Sequence, residues 1–218
     1  MSLAGVRILI SAGPTFEDLD PVRFIGNRSS GKMGFAIAQA AAARGAQVVL
    51  VAGPVSLPTP PGVVRVDVRS AAQMHAAVMD ALPCDVYIGA AAVADFAPRQ
   101  VAPGKIKKQA GMDTLTLELV RTPDILAAVA THPQRPRLVV GFAAETDHVE
   151  QYARGKLERK RLDLIAANRV GVAGSGFESD DNALVVYGPE GYACALGPAA
   201  KTELAQALLD LVDGRLPG

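Results

Sequence analysis

The sequence predicts an α/β fold: a doubly wound, mostly parallel sheet with helices on both faces and an antiparallel hairpin extension. Three observations carry this. Short runs rich in Val, Ile and Ala alternate with longer amphipathic stretches, the order produced when parallel strands are joined by helical crossovers. The first such run, Val6 to Ala12, leads through a Gly/Ser-rich turn into an Ala-rich helix and a second strand, a β-loop-α-β unit. Late in the chain, Ala183 to Leu196 reads instead as a hairpin turning at Pro189-Glu190-Gly191. The 218 residues, half of them hydrophobic, suffice for one sizeable core, and no repeat or separating linker interrupts them. Residues 1–218 are therefore read as a single domain.

The elements follow in order. Val6 to Ala12 is a buried strand, and Met33 to Arg44 (MGFAIAQAAAAR) is a helix closed by Gly45. Gln47 to Ala52 and Val63 to Val68 are strands. Ser70 caps a helix reaching Leu82, and Asp85 to Ala92 is a nearly all-apolar central strand. From Asp95 to Gln109 (DFAPRQVAPGKIKKQ) the pattern breaks into a Pro/Gly loop carrying Arg99, Lys105, Lys107 and Lys108. Leu115 to Val120 alternates as a strand should, and the run Thr122-Pro123-Asp124 caps a helix with Pro123 at its first position. Arg137 to Ala143 is a buried strand, Asp147 to Arg161 a helix, Asp163 to Ala167 a short strand, and Asn168 to Asn182 a polar loop. After the hairpin, Ala199 to Val212 closes the chain as an amphipathic helix. The arrangement is Rossmann-like, so ligands belong beyond the carboxyl ends of the strands.

Composition narrows the partners. With 22 basic and 22 acidic residues there is no global charge to draw the chain to nucleic acid or an anionic membrane. No apolar run reaches bilayer-spanning length and no secretory leader is visible, which predicts a cytoplasmic protein. Cys84 and Cys194 lie far apart in apolar contexts, without metal-ligand spacing, and read as buried free thiols. His75, His132 and His148 have no nucleophile or carboxylate constellation around them. Chemistry by positioning and electrostatics is therefore favoured over a nucleophilic side chain.

The segment VRILISAGPTFEDLDPVRFIGNRSSGK, from Val6 to Lys32, points to an anion. Exposed N–H groups and the positive end of a helix dipole around Ser29, Ser30 and Gly31 face the crevice. Gly26 to Met33 resembles a phosphate-binding loop, but Met33 has no hydroxyl to offer Mg2+. The G-x-G-x-x-G fingerprint is absent, and Val51-Ala52-Gly53 offers no acid to a ribose hydroxyl, which weakens a dinucleotide reading. The Gly13 to Ser30 connection is too long for a simple turn, and its Phe16, Leu19, Val22, Phe24 and Ile25 argue against disorder. Gly13, Ala90 to Ala92, Phe142 to Ala144 and Asn168 stand at strand ends that would share the crevice. Gly89 to Ala92 is small enough to let a ligand approach closely. Lys105 reads either as a solvated loop cation or as a phosphate ligand. Lys156 and Lys160, four apart, share one helical face, which residues alone assign to solvent.

The segments SAGPTFEDLDPVRFIGNRSSGKMG (Ser11 to Gly34), AAVADF (Ala91 to Phe96), KIKK (Lys105 to Lys108), GFAAET (Gly141 to Thr146) and ANRV with the following GFESDDN (Gly176 to Asn182) resemble bacterial phosphopantothenoylcysteine synthetases, the phosphopantothenate–cysteine ligases of coenzyme A biosynthesis. The match runs in order over nearly the whole chain. It implies a Mg2+-assisted, CTP-dependent ligation of 4'-phosphopantothenate and L-cysteine through an acyl-cytidylate. Asn27 and Lys105 would be the catalytic residues, and Asn27 with Ala92 would bind substrate. The nucleotide would lie against Gly13, Gly89, Ala90, Ala91, Asp95, Lys105, Pro123, Asp124, Ile125, Leu126, Phe142, Lys156 and Lys160; no metal ligand is assigned. The Phe96 to Gln109 loop is expected to close over bound ligands. The resemblance also implies a homodimer and, in many members, a flavin-dependent decarboxylase domain ahead of this one; the chain is read as a free-standing synthetase or an excised half. It departs from the family at Arg169, where an acidic residue is expected. The alternatives are an NAD(P)-dependent Rossmann-type reductase, disfavoured by the missing fingerprint, and a nucleotide-sensing module without turnover.

Overall fold

The computed structural model describes residues 2–108, 113–170 and 181–216. β1 (Arg7–Ala12) runs into a small hairpin of β2 (Phe16–Asp18) and β3 (Phe24–Gly26), followed by α1 (Lys32–Ala43), β4 (Gln47–Ala52), β5 (Val63–Asp67), α2 (Ala71–Asp80) and β6 (Val86–Gly89). A second small pair, β7 (Phe96–Pro98) and β8 (Leu119–Arg121), precedes α3 (Ile125–Ala130), β9 (Leu138–Glu145), α4 (Val149–Arg159) and β10 (Leu164–Arg169). β11 (Asp181–Tyr187) and β12 (Ala193–Ala200) form the late hairpin, and α5 (Lys201–Asp213) ends the fold.

Eight strands form one sheet in the order β12-β11-β10-β9-β6-β1-β4-β5. β10, β9, β6, β1, β4 and β5 are parallel, and β11 is antiparallel to both β10 and β12. The chain therefore winds outward from β1 to β5, then starts again at β6 on the other side of β1. That reversal opens a crevice above the β1/β6 boundary. Alternation along the strands sorts the core into two layers. Ile8, Ile10, Leu50 and Ile88 pack under α1 and α5, whereas Leu9, Val51, Tyr87, Val139 and Ile165 pack under α2, α3 and α4. Arg44 at the end of α1 ties that helix to α5, donating to Gln206 Oε1 (2.9 Å) and Asp210 Oδ1 (2.8 Å).

Several expected boundaries move, each for a local reason. The Asp85 strand keeps its regular pairing only from Val86 to Gly89; beyond it the Ala90 and Ala92 N–H groups still follow the β1 side, donating to the Ser11 and Gly13 carbonyls (both 2.9 Å), and Ala92 forms an isolated bridge with Pro14. Of Leu115 to Val120 only the end is strand; Leu115 and Leu117 stay exposed and find no ladder partner among the described residues. Within the Thr122-Pro123-Asp124 run the α3 cap is Asp124, whose carboxylate accepts from Ala127 N (3.1 Å), while the Thr122 hydroxyl donates to Ala94 O (2.6 Å). Pro123 thus precedes the helix. The Gly13 to Ser30 connection contains the β2–β3 hairpin, and Asn168 belongs to β10 rather than to a loop. Ser70 caps α2 as expected, in a reciprocal box with Gln73. Cys84 and Cys194 are free but half-buried, and burial pushes the Cys84 thiol up to about 11. Among the described residues no helix is long and apolar enough to cross a membrane.

Candidate active site

The crevice at the β1/β6 boundary is a cleft of about 770 Å³. Its near wall is the turn before α1. Gly31 enters that helix with φ +76°, a left-handed conformation open to glycine at little cost, and leaves the first helical N–H groups facing the cleft. Gly34 lets α1 press directly on Ala12, where a side chain would collide with the Ala12 methyl. Just ahead, Asn27 follows β3, and its Nδ2 donates to Ala92 O (2.9 Å), bridging the hairpin to the strap that continues β6. One amide proton of Asn27 is thereby committed, and the rest of the carboxamide lies in the cleft. Below, the fully buried Tyr87 hydroxyl pairs with Ser11 Oγ (2.9 Å), satisfying two polar groups beneath the floor.

The far wall is built by α3 and α4. Lys156 is largely buried and donates to the Phe142 carbonyl (2.7 Å). Burial, then the neighbouring Lys160 charge, lowers its pKa, while Glu145, Asp124 and Asp95 work the other way. Lys160 Nζ reaches both Asp124 oxygens at 2.9 Å. Burial disfavours the Asp124 charge, but the Lys160 and Ala127 hydrogen bonds and the two ammonium charges outweigh it and hold the carboxyl below its ordinary value. Asp124 therefore caps α3 and anchors Lys160 at once. The helix lysines thus face the cleft, contrary to the solvated face that residues alone suggest.

Asn27, Gly89, Ala90, Ala91, Ala92, Asp95, Pro123, Asp124, Ile125, Leu126, Phe142, Lys156 and Lys160 all line this cleft. Gly13 does not; it packs behind Gly31, 3.4 Å from where a Gly31 side chain would begin. Lys105 is exposed and lies outside the lining, on the strap between β7 and β8. That strap is anchored where it meets the hairpin: Ala102 N donates to Leu19 O (2.9 Å) and Ile106 N to the buried Asp20 carboxylate (3.1 Å), which also accepts from Val22 and Arg23. The Gln109 end of the strap and residues 176–180 of the GFESDDN segment fall outside the described residues. Arg169 donates to Thr146 O (3.3 Å) at the end of β10 and does not line the cleft.

Sequence reasoning missed Arg28, Lys32, Arg121, Asn182 and Lys201, all on the cleft wall. Lys32 stands in the apparent phosphate-loop match that was set aside for lacking a hydroxyl, and Lys201 opens a helix whose pattern marks only its apolar face. Six cationic side chains line the cleft against two carboxylates, so a chain of zero net charge concentrates positive potential here. No Cys or His lines it among the described residues. The site is equipped to bind and polarise a polyanion rather than to attack with a side chain.

The model of the DNA/pantothenate metabolism flavoprotein C-terminal domain matches residues 3–215. The chain belongs to that family. The coenzyme A biosynthesis bifunctional protein CoaBC of Vibrio cholerae is 56% identical over 211 residues, covering 96% of this chain and 53% of that protein. The crystal structure of a CoaBC C-terminal domain superposes with a TM-score of 0.82 at 40% identity, covering 97% of this chain and 95% of the other. A Cab2 variant solved in complex with phosphopantothenate-cysteine shares the fold, with a TM-score of 0.76 at 19% identity over 96% of this chain and 86% of that one. The chain spans about half the length of the curated relatives it matches. The reductase alternative finds no support in this family.

Proposed function

We propose that this chain is a phosphopantothenate–cysteine ligase unit, joining 4'-phosphopantothenate and L-cysteine with CTP through an acyl-cytidylate, in the cytoplasm. The supporting observation is the convergence of Asn27, the Gly89–Ala92 backbone, Asp95, Asp124, Phe142, Lys156 and Lys160 on one cleft, in a member of a family whose relatives are named for coenzyme A biosynthesis. A carboxylate is a poor electrophile at neutral pH and must first become a mixed anhydride. Its oxygen bonds to the α-phosphorus of CTP, the bond to the bridging oxygen breaks, and pyrophosphate leaves with that electron pair. The cysteine amine then adds to the acyl carbon, CMP departs, and the ammonium proton is lost to solvent.

The residues divide accordingly. Lys156, Lys160 and Phe142 hold the nucleoside, with the α3 N-terminus and the Gly89–Ala91 backbone beside it. Asn27 donates to the acyl oxygens as charge develops there, held in register by Ala92. Lys105 reaches the reacting phosphate when the strap closes on bound substrates. Mg2+ supplies neutralisation of the phosphate oxygens. The described residues contain no group of three or more His, Cys, Asp and Glu; a site with one open carboxylate, Asp95, fits an ion carried mainly by the polyphosphate.

The partners belong to the same proposal. Val22, Phe24, Phe96, Val101 and Leu119 are exposed on the two small hairpins and their strap, an apolar surface suited to a second copy in a homodimer. Because the relatives are bifunctional and twice as long, a flavin-dependent decarboxylase domain is proposed as the other half of such proteins. Pyrophosphate release tests the reaction. With Mg2+, 4'-phosphopantothenate and cysteine present, CTP should give release that stops when phosphopantothenate is withheld. Nucleotide binding without release would favour a sensing module instead.

A further inference from the structure

The β2–β3 hairpin leads into Asn27 but does not belong to the main sheet. Its strands are three residues each, too short to hold a position unaided, so what fastens them decides where Asn27 lies. Three fastenings meet α2 and Arg69, just ahead of its cap. Phe16 N donates to Arg69 O (2.8 Å). The Arg69 guanidinium grips both Asp18 oxygens (3.0 and 2.6 Å) and lies 5.6 Å from the centroids of the stacked Phe16 and Phe24 rings. The Glu17 carboxylate accepts from Ala71 N (2.8 Å).

The Glu17 bond differs from the ion pair beside it in being buried. Glu17 is 5% exposed and Ala71 is fully buried, whereas Asp18 and Arg69 face solvent, where an ion pair contributes little. A buried carboxylate is costly unless it is bonded, and Glu17 finds its donor at the positive end of a ten-residue helix. α2 has its own local cap in the Ser70–Gln73 box, yet its first N–H is answered by a side chain 54 residues earlier. Met74 and Val78 in turn fix α2 to the sheet. The bond therefore ties the hairpin to the core. In the ladder Glu17 faces Ile25 and Phe16 faces Gly26, and Asn27 follows at once.

We propose that Glu17 is a positioning residue for ligation: by pinning β2 to the N-terminus of α2, it holds Asn27 where its free amide proton meets the acyl oxygens. The inference rests on the ligation reading. Glu17 does not line the cleft and acts through Asn27. The Asn27 side chain is held at its tip by Ala92 O and at its base by the hairpin. With the base released, the bond to Ala92 still forms while the backbone shifts, and a misplacement of about 1 Å costs on the order of a hundredfold in rate.

A double-variant cycle on the full chain, read by amide formation from CTP, 4'-phosphopantothenate and cysteine, tests this. Glu17→Ala should lower kcat by about tenfold to a hundredfold and leave the KM for CTP within about twofold, whereas a general loosening of the fold would disturb the nucleotide as well. Glu17→Gln, which keeps an acceptor oxygen for Ala71 N, should retain most of kcat. In an Asn27→Ala background, Glu17→Ala should cost no more than about twofold further, because its effect passes through the side chain already removed. An unchanged kcat in Glu17→Ala, or an equal loss with and without Asn27, would overturn the positioning role. If Glu17→Ala does not fold, Glu17→Asp serves, its carboxylate one methylene short of Ala71 N, and the same two outcomes decide. Absence of amide product from the unaltered chain would refute the ligation reading, whereas normal ligation with a loss independent of Asn27 refutes only the role of Glu17.

Discussion

Asn27 is committed through one amide proton to Ala92 O and has the other for the substrate. Asn27→Asp removes both donors and sets a carboxylate against a carbonyl and an anion. Ligation should slow by about a hundred- to a thousandfold, the usual effect of losing one such donor, while CTP titration stays close to normal. Unaltered turnover would contradict the role. Across the cleft, Lys160→Ala should weaken CTP by roughly 1–3 kcal/mol, because it removes a charged donor from the cleft wall and leaves the Asp124 carboxylate uncompensated beside an anionic ligand, and should spare 4'-phosphopantothenate affinity. Lys156 adds a pH dependence. Its folded pKa lies below the usual lysine value through burial and the Lys160 charge, so CTP affinity should begin to fall at a pH below the ordinary lysine range. In the same window the unfolded chain binds the extra proton, so raising the pH through it stabilises the fold. Lys156→Met should remove both limbs in pH-resolved titrations. The (i, i+4) spacing made it legible that these lysines share a face. Which face was settled by the way α4 packs over β9 and β10, a tertiary fact that no spacing encodes.

Local chemistry marked some elements and misled at others. The Ser70 cap and the Pro189-Glu190-Gly191 turn were legible because their hydrogen bonds are internal to a few residues. The end of β6 and the first residue of α3 were misplaced: regular pairing stops at Gly89 although Ala90 and Ala92 still bond to the Ser11 and Gly13 carbonyls, and Pro123 falls ahead of the helix because Asp124 takes the cap while the distant Ala94 carbonyl holds the Thr122 hydroxyl. The strap bearing Lys105 depends on such a distant partner too, since Asp20 supplies the acid that the stretch from Phe96 to Gln109 lacks. Asp20→Ala frees three backbone N–H groups, each bond contributing about 0.5–1.5 kcal/mol. Hydrogen exchange at Ile106 should accelerate, and activation should slow with it. Lys105→Gln should likewise slow activation, while Lys107→Gln and Lys108→Gln matter little. Equal kinetic damage from all three lysines would rule out a specific approach of Lys105 to phosphate.

At the scale of the molecule, alternating strands and helices made the class legible, and right-handed crossovers leave few ways to wind them. The cleft followed from the β1/β6 reversal, whereas its Lys201 end did not, since that end needs β12 delivered beside β11 by the late hairpin. Assembly is testable at this scale. Val101→Asp on the exposed strap should shift sedimentation from dimer toward monomer without lowering the melting temperature, and ligation should fall if the site is completed by the second copy. A wild-type chain that sediments as a monomer at all concentrations would contradict the dimer. The central claim is that the substrate carboxylate becomes covalently joined to the nucleotide's α-phosphate. Turnover of 4'-phosphopantothenate labelled with 18O in its carboxylate, followed by mass analysis of the products, tests it most directly. One labelled oxygen should appear in CMP and none in pyrophosphate or free phosphate; unlabelled CMP formed alongside the amide product would contradict the account.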